Sequence, residues 1–107
     1  MSGIFSFTSG IFSSGNEKLL IKASKDGNLK EVQRLLDKRV SPNVVDESGW
    51  TPLHVAAIKG HQEAVRQLLA GGAQTEAVDT SGCIPLHLAA IKGHQEAVRQ
   101  LLAGGAQ

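Results

Sequence analysis

Aromatic side chains are scarce in this chain of 107 residues, which has three Phe, one Trp and no Tyr. Phe5, Phe7 and Phe12 all lie near the N-terminus, leaving Trp50 as the only aromatic beyond them. A core past residue 16 must therefore be built from Leu, Ile, Val and Ala, whose small side chains let helices approach closely. A broad sandwich core draws on more aromatic and β-branched residues. Cysteine is nearly absent: Cys83 stands alone, which excludes an internal disulfide framework and fits a reducing compartment. Charge of one sign is lacking too. Eleven Lys and Arg face ten Asp and Glu, for a formal net charge of +1. Residues 17–49 hold seven basic and six acidic groups, and residues 50–107 hold four of each. Without a one-sign field, nucleic acid and anionic membrane are disfavoured as partners. No apolar run approaches the roughly 20 residues of a spanning helix. The first sixteen residues carry no Lys or Arg and no continuous apolar core, so no cleaved secretory signal is read there. These absences point to a soluble chain, expected in the cytoplasm.

What the chain does have is a repeat. A shift of 33 positions lays Trp50–Gln74 onto Cys83–Gln107 with 22 of 25 positions identical, the exceptions being Trp50/Cys83, Thr51/Ile84 and Val55/Leu88. The same shift lays residues 17–49 onto the next unit more loosely, matching Leu20 to Leu53, Ala23 to Ala56, Gly27 to Gly60, Val32 to Val65 and Asp46 to Asp79. A fixed period of this size means stacked supersecondary units, each touching only its neighbours.

Within one unit the local code is legible. Thr51 is a good N-cap, and Pro52 sits at the first helical position, where its missing N–H costs nothing. Leu53, Ala56 and Ala57 fall on one face of a short helix, which Gly60 can end in the left-handed conformation. Past His61, a second helix carries Ala64, Val65, Leu68 and Leu69 on its inner side and Glu63 with Arg66 on its outer side, and Gly71-Gly72 stops it. Asp79-Thr80-Ser81-Gly82 reads as a turn between extended arms.

Thr51-Pro52-Leu53-His54, Ala56-Ala57, Gly60-His61, Leu68-Leu69, Gly72-Ala73 and Asp79 through Gly82 together resemble the ankyrin repeat. The resemblance covers roughly residues 17–107. It implies an all-α solenoid of helix-turn-helix units with short hairpin loops, working as a non-catalytic protein-binding scaffold that needs no cofactor. The expected layout is a flexible tail over 1–15 and a repeat domain over 16–107: a capping unit (16–49), a full repeat (50–82) and an incomplete one (83–107). Lys18, Lys22, Lys25, Lys30 and Lys38 give the first unit the polar outer face that a terminal unit needs. Some positions depart from the family pattern. Ile84 replaces the Thr, Gln62 and Gln67 replace commonly apolar residues, and Glu76 stands where Asn43 keeps the usual Asn. They predict looser packing between units.

The resemblance also implies that hairpin tips and the outward side of each first helix form a concave binding surface. Carried over by position, the contacts are Glu47, Ser48 and Trp50 with Ile58 and Lys59. The next unit supplies Thr80, Ser81 and Cys83 with Ile91 and Lys92, while Val45 and Val78 flank the tips. Two roles stay open for Trp50: contact with a partner, or cover for the adjacent hairpin. Two also stay open for Ile58 and Ile91, as contact surface or ordinary exposed apolar area.

Four histidines invite a metal reading, since His54/His87 and His61/His94 recur at the period. Equivalent residues of stacked units stand roughly 10 Å apart, too far to share an ion whose ligands converge at about 2 Å. The resemblance implies instead that His54 hydrogen-bonds the Thr51 hydroxyl and nearby backbone. Ile84 then leaves His87 without that partner. Cys83 and the histidines lack a third orienting group, and the glycine pairs follow helices instead of preceding them, so no catalytic or phosphate-binding site is read.

The ends are the least determined parts. Ser2-Gly3-Ile4-Phe5-Ser6 echoes as Ser9-Gly10-Ile11-Phe12-Ser13, read as a mobile tail in preference to a docking motif or a strand lent to a sheet edge. The last unit repeats Ala97, Val98, Leu101 and Leu102 without a polar cap after them, so an apolar face is expected at that end. A fragment of a longer array would account for it, as would self-association or cover by another protein. The leading expectation is a protein-binding ankyrin scaffold; the alternative is the targeting arm of a larger enzyme or effector.

Overall fold

The computed structural model describes residues 15–106. The echo expected as a tail falls in residues 1–14, outside them. Six helices occupy the described residues in pairs: α1 (Gly15–Asp26) with α2 (Leu29–Asp37), α3 (Pro52–Lys59) with α4 (Gln62–Ala70), and α5 (Pro85–Ile91) with α6 (Gln95–Ala103). The first helices α1, α3 and α5 pack in one row and the second helices α2, α4 and α6 in another. There is no strand among the described residues, and the fold is the all-α solenoid that the repeat predicts.

The termini of the helices follow the local code. Thr51 Oγ1 accepts the His54 N–H at 3.2 Å, and Pro52 opens α3. Gly60 ends it at φ 73°. Helix α4 closes by two bonds, Gly72 N–H to the Leu69 carbonyl at 3.1 Å and Ala73 N–H to the Leu68 carbonyl at 2.9 Å. This double bond needs a left-handed residue at position 72. In the first unit the matching residue is Arg39, which adopts φ 68° and still closes α2, with Val40 N–H on the Leu35 carbonyl at 3.1 Å. A non-glycine there carries about 1–2 kcal/mol of strain.

The core runs through all three pairs. Leu20, Ala23, Val32 and Leu35 continue into Leu53, Ala56, Ala57, Ala64, Val65 and Leu68, and then into Ala89, Ala97 and Leu101. Outer faces carry ion pairs at three-residue spacing, Glu31–Arg34, Glu63–Arg66 and Glu96–Arg99. Such exposed pairs are screened by solvent and add little, so burial decides the fold.

Units interlock through a leucine set against a glycine. Leu36 reaches Gly71, and Leu69 reaches Gly104 so closely that a β-carbon there would stand 2.9 Å from Leu69 Cδ1. Leu102, the next in the row, has no such neighbour and is 52% exposed. The expected apolar end face needs correction. Ala97 and Leu101 are fully buried, because they face inward to their own helix pair and the preceding one. The end face consists of Leu102 with His87 and Ala90, whose equivalents His54 and Ala57 are fully buried in the middle unit. Gln67, one of the departures from the family pattern, reaches across to the preceding unit. Its Nε2 donates to the Leu29 carbonyl at 3.2 Å, while its Oε1 is buried with no hydrogen-bond partner among the described residues.

Two glycines in the same backbone state separate strain from packing. A β-carbon on Gly60 would lie 2.6 Å from His94 Nδ1, whereas one on Gly93 (φ 74°) would meet nothing within 4 Å. Gly93→Ala is expected to cost about 1–2 kcal/mol, the left-handed strain alone. Gly60→Ala should cost about 1–3 kcal/mol more by displacing the imidazole and its hydrogen bond. Urea unfolding of the two variants checks this, and equal losses would show that His94 does not depend on that contact.

Candidate functional site

The hairpin loops are built by two aspartates. Asp46 Oδ1 accepts the Ser48 N–H at 2.8 Å and the Trp50 N–H at 2.9 Å. Asp79 Oδ1 does the same for Ser81 at 2.8 Å and Cys83 at 2.9 Å. Each short carboxylate thus closes its own turn. The Thr80 N–H donates to the Ser48 carbonyl at 3.1 Å, fastening one tip to the next. Trp50 adds a second tie: its indole Nε1–H donates to Asp79 Oδ2 at 2.8 Å. The indole also stacks on His54, with planes 12° apart and centroids 6.3 Å apart. Trp50 therefore covers the adjacent hairpin, the second of the two roles the sequence leaves open.

His54 is fully buried and holds three elements. Its Nε2 lies 2.9 Å from the Cys83 carbonyl, which can only accept, so Nε2 carries the proton. Nδ1 is then the acceptor for the Thr51 N–H at 3.1 Å and faces the Thr51 hydroxyl at 3.0 Å. The link to Cys83 crosses to the next unit and goes beyond the turn-locking bond that the resemblance implies. In the last unit Ile84 supplies no side-chain cap, and among the described residues the His87 ring keeps only the Ile84 N–H on Nδ1 at 3.3 Å.

The other two histidines were missed as binding elements of the stack. His61 Nε2 donates to the Lys25 carbonyl at 3.0 Å, and His94 Nε2 to the Ile58 carbonyl at 3.1 Å. Each satisfies a carbonyl in the last turn of the preceding unit's first helix, where no intrahelical donor remains. At the same position the first unit has Asn28, whose Oδ1 accepts the Glu31 N–H at 3.3 Å and caps its own helix instead. The swap from Asn to His at the period is the sequence signal for a bond between units. Among the described residues no group of three His, Cys, Asp or Glu could hold a metal ion.

An open groove of about 320 Å³ lies between the first-helix row and the first hairpin. Ile21 and Lys25 of α1, Val55, Ile58 and Lys59 of α3, and Asp46, Ser48 and Trp50 of the hairpin line it. The structure therefore brings together four of the residues picked from the sequence, Ser48, Trp50, Ile58 and Lys59. Glu47 is exposed at the tip beside them. Thr80, Ser81, half-buried Cys83, Ile91 and Lys92 lie one unit further along and do not line this groove. Ile21, Lys25, Val55 and Asp46 were missed. Lys25 is detectable as the period equivalent of Ile58, and Val55 as the residue one helical turn before Lys59.

Stacked helix-turn-helix units tied by histidines and aspartate turns define a helical repeat solenoid. A family model described as Ankyrin repeats (3 copies) matches residues 19–107, and the chain belongs to that family. A curated ankyrin repeat-containing protein of Schizosaccharomyces pombe is 44% identical over 41 residues, which are 38% of this chain and 20% of that protein. The chain thus matches about a fifth of the length of its curated relative.

Asp79 links the groove's tryptophan to pH. The Cys83 N–H holds its carboxyl below the ordinary carboxylate value, the Trp50 indole and the Ser81 N–H add to the effect, and partial burial opposes it. In the unfolded chain the group returns to its ordinary value of 3.8. Its contribution to stability is complete above that value and is lost as pH falls through the lower folded-state value. Below about pH 4 the wild type should therefore lose stability more steeply than Asp79→Asn. Urea unfolding followed by Trp50 fluorescence checks this, and parallel curves would remove Asp79 from the acid response.

Proposed function

We propose that the chain is a non-catalytic scaffold or adaptor that binds a protein partner along the first-helix row and the hairpin tips. Ankyrin repeats are in general protein-protein interaction modules. The groove supports this reading: its apolar side chains Ile21 and Ile58 are half-buried and so keep part of their surface open to solvent, beside buried Val55. A preformed surface loses little ordering entropy on binding. The contacts are Glu47, Ser48, Trp50, Ile58 and Lys59, continued by Thr80, Ser81, Cys83, Ile91 and Lys92. The repeat domain spans 16–107, with Gly15 of the expected tail already in α1, and acts in the cytoplasm without nucleic acid, membrane, metal or cofactor. No helix among the described residues is long and apolar enough to cross a membrane.

Two further readings each rest on an observation. Exposed Leu102, Ala90 and His87 favour self-association through the last unit. The greater length of the curated relative favours a role as the targeting arm of a larger protein.

Ile58→Glu tests the groove. Partner capture should weaken at least about tenfold while circular dichroism and the melting temperature stay near those of the parent. Unchanged capture would place the binding surface elsewhere.

A further inference from the structure

The helix wall of the groove carries cations that make no ion pair among the described residues, and the acidic groups beside them, Asp46 and exposed Glu47, stand on the hairpin side. Lys25 and Lys59 line it, and Lys92 follows Lys59 at the repeat period on the next first helix. None of the three makes an ion pair among the described residues, although Lys22 on α1 is paired with Asp26 at 3.0 Å. Among the described residues that line the groove the one carboxylate is Asp46, and its Oδ1 is already engaged by two backbone N–H groups. An isoleucine precedes each of the last two lysines, Ile58 half-buried and Ile91 74% exposed. The last two units therefore each present an aliphatic side chain and an unpaired ammonium, at roughly the 10 Å spacing of packed helices, while in the first unit Lys25 stands at the isoleucine position and Asp26 at the lysine position.

We propose that the partner element is an acidic, aliphatic linear segment lying across the units. Its carboxylates pair with Lys25, Lys59 and Lys92, and its apolar side chains rest on Ile58 and Ile91. In an extended chain with three residues per turn and about 3.1 Å rise, every third residue returns to the same side after about 9 Å, which matches the unit spacing. An acidic residue at every third position would meet successive lysines. Opposite charge also speeds encounter and makes binding sensitive to salt. The inference rests on the groove reading and adds the chemistry of what the groove takes.

Random linear peptides displayed on phage, selected on the full chain, test it, with fluorescence anisotropy of the recovered peptides as the readout. Recovered peptides should be rich in Asp or Glu interleaved with Leu, Ile or Val. They should lose at least about tenfold in affinity for Lys59→Glu/Lys92→Glu, and again between about 50 and about 500 mM NaCl. A peptide with its acids changed to Lys should regain affinity for that double variant, a rescue that a folding defect cannot produce. Neutral or basic peptides that compete for the groove and are lost in Ile58→Glu would overturn the acidic partner and leave the groove standing. If no recovered peptide responds to Ile58→Glu, the groove and the acidic partner fall together.

Discussion

The stack depends on burial between adjacent helix pairs, and imidazole N–H groups fix each pair in place by donating to backbone carbonyls of a neighbouring unit. His54 reaches forward to the Cys83 carbonyl at 2.9 Å, while His61 and His94 reach back to Lys25 and Ile58 at 3.0 and 3.1 Å. Short helices of seven to nine residues, such as α3 to α6, leave a large share of their end groups unpaired. They are too short to be stable alone. A neighbouring histidine supplies the missing donor, and burial of Leu53, Val65 and Leu68 against adjacent pairs supplies the driving force. Helix formation and stacking are therefore one event.

The same arrangement sets where function can sit. The inward sides of both helix rows and the faces between units are occupied by the stack itself, and the outer side of the second helices carries the exposed Glu–Arg pairs. Hairpins and the outward side of the first helices remain free, and the hairpins are stiffened by Asp46, Asp79 and the Trp50–Asp79 bond. Trp50 belongs to both systems: its N–H serves the scaffold, while its ring borders the groove. The surface proposed for recognition is held in place by the same contacts that fold the chain.

The two terminal units show what a neighbour contributes. Identical or near-identical residues change environment between the middle and the last unit: His54 is buried and His87 exposed, Ala57 is buried and Ala90 exposed. The local sequence changes only at Trp50/Cys83, Thr51/Ile84 and Val55/Leu88, while Pro-Leu-His and Ala-Ala-Ile-Lys-Gly recur unchanged. His54 and Ala57 are covered by the following helix pair, whereas among the described residues no pair covers His87 and Ala90. The first unit is adapted locally, with Asn28 capping its own helix where the later units carry a bridging histidine.

The amino-acid sequence alone determined the period, the helix pairs and their ends. Those features rest on short-range chemistry: the Thr51 cap, Pro52 at the helix start, the glycines past the helix ends and the spacing of Leu and Ala. It also marked Ser48, Trp50, Ile58 and Lys59 as neighbours of one surface through the resemblance to ankyrin repeats. Tertiary structure alone decided that Trp50 spends its N–H on Asp79, that His61 and His94 bind the preceding unit, and that Lys25 joins Lys59 across two helices. Each of these joins residues about 29 to 36 positions apart. Their distance is set by how tightly one helix pair seats on the next, a quantity that no single unit encodes.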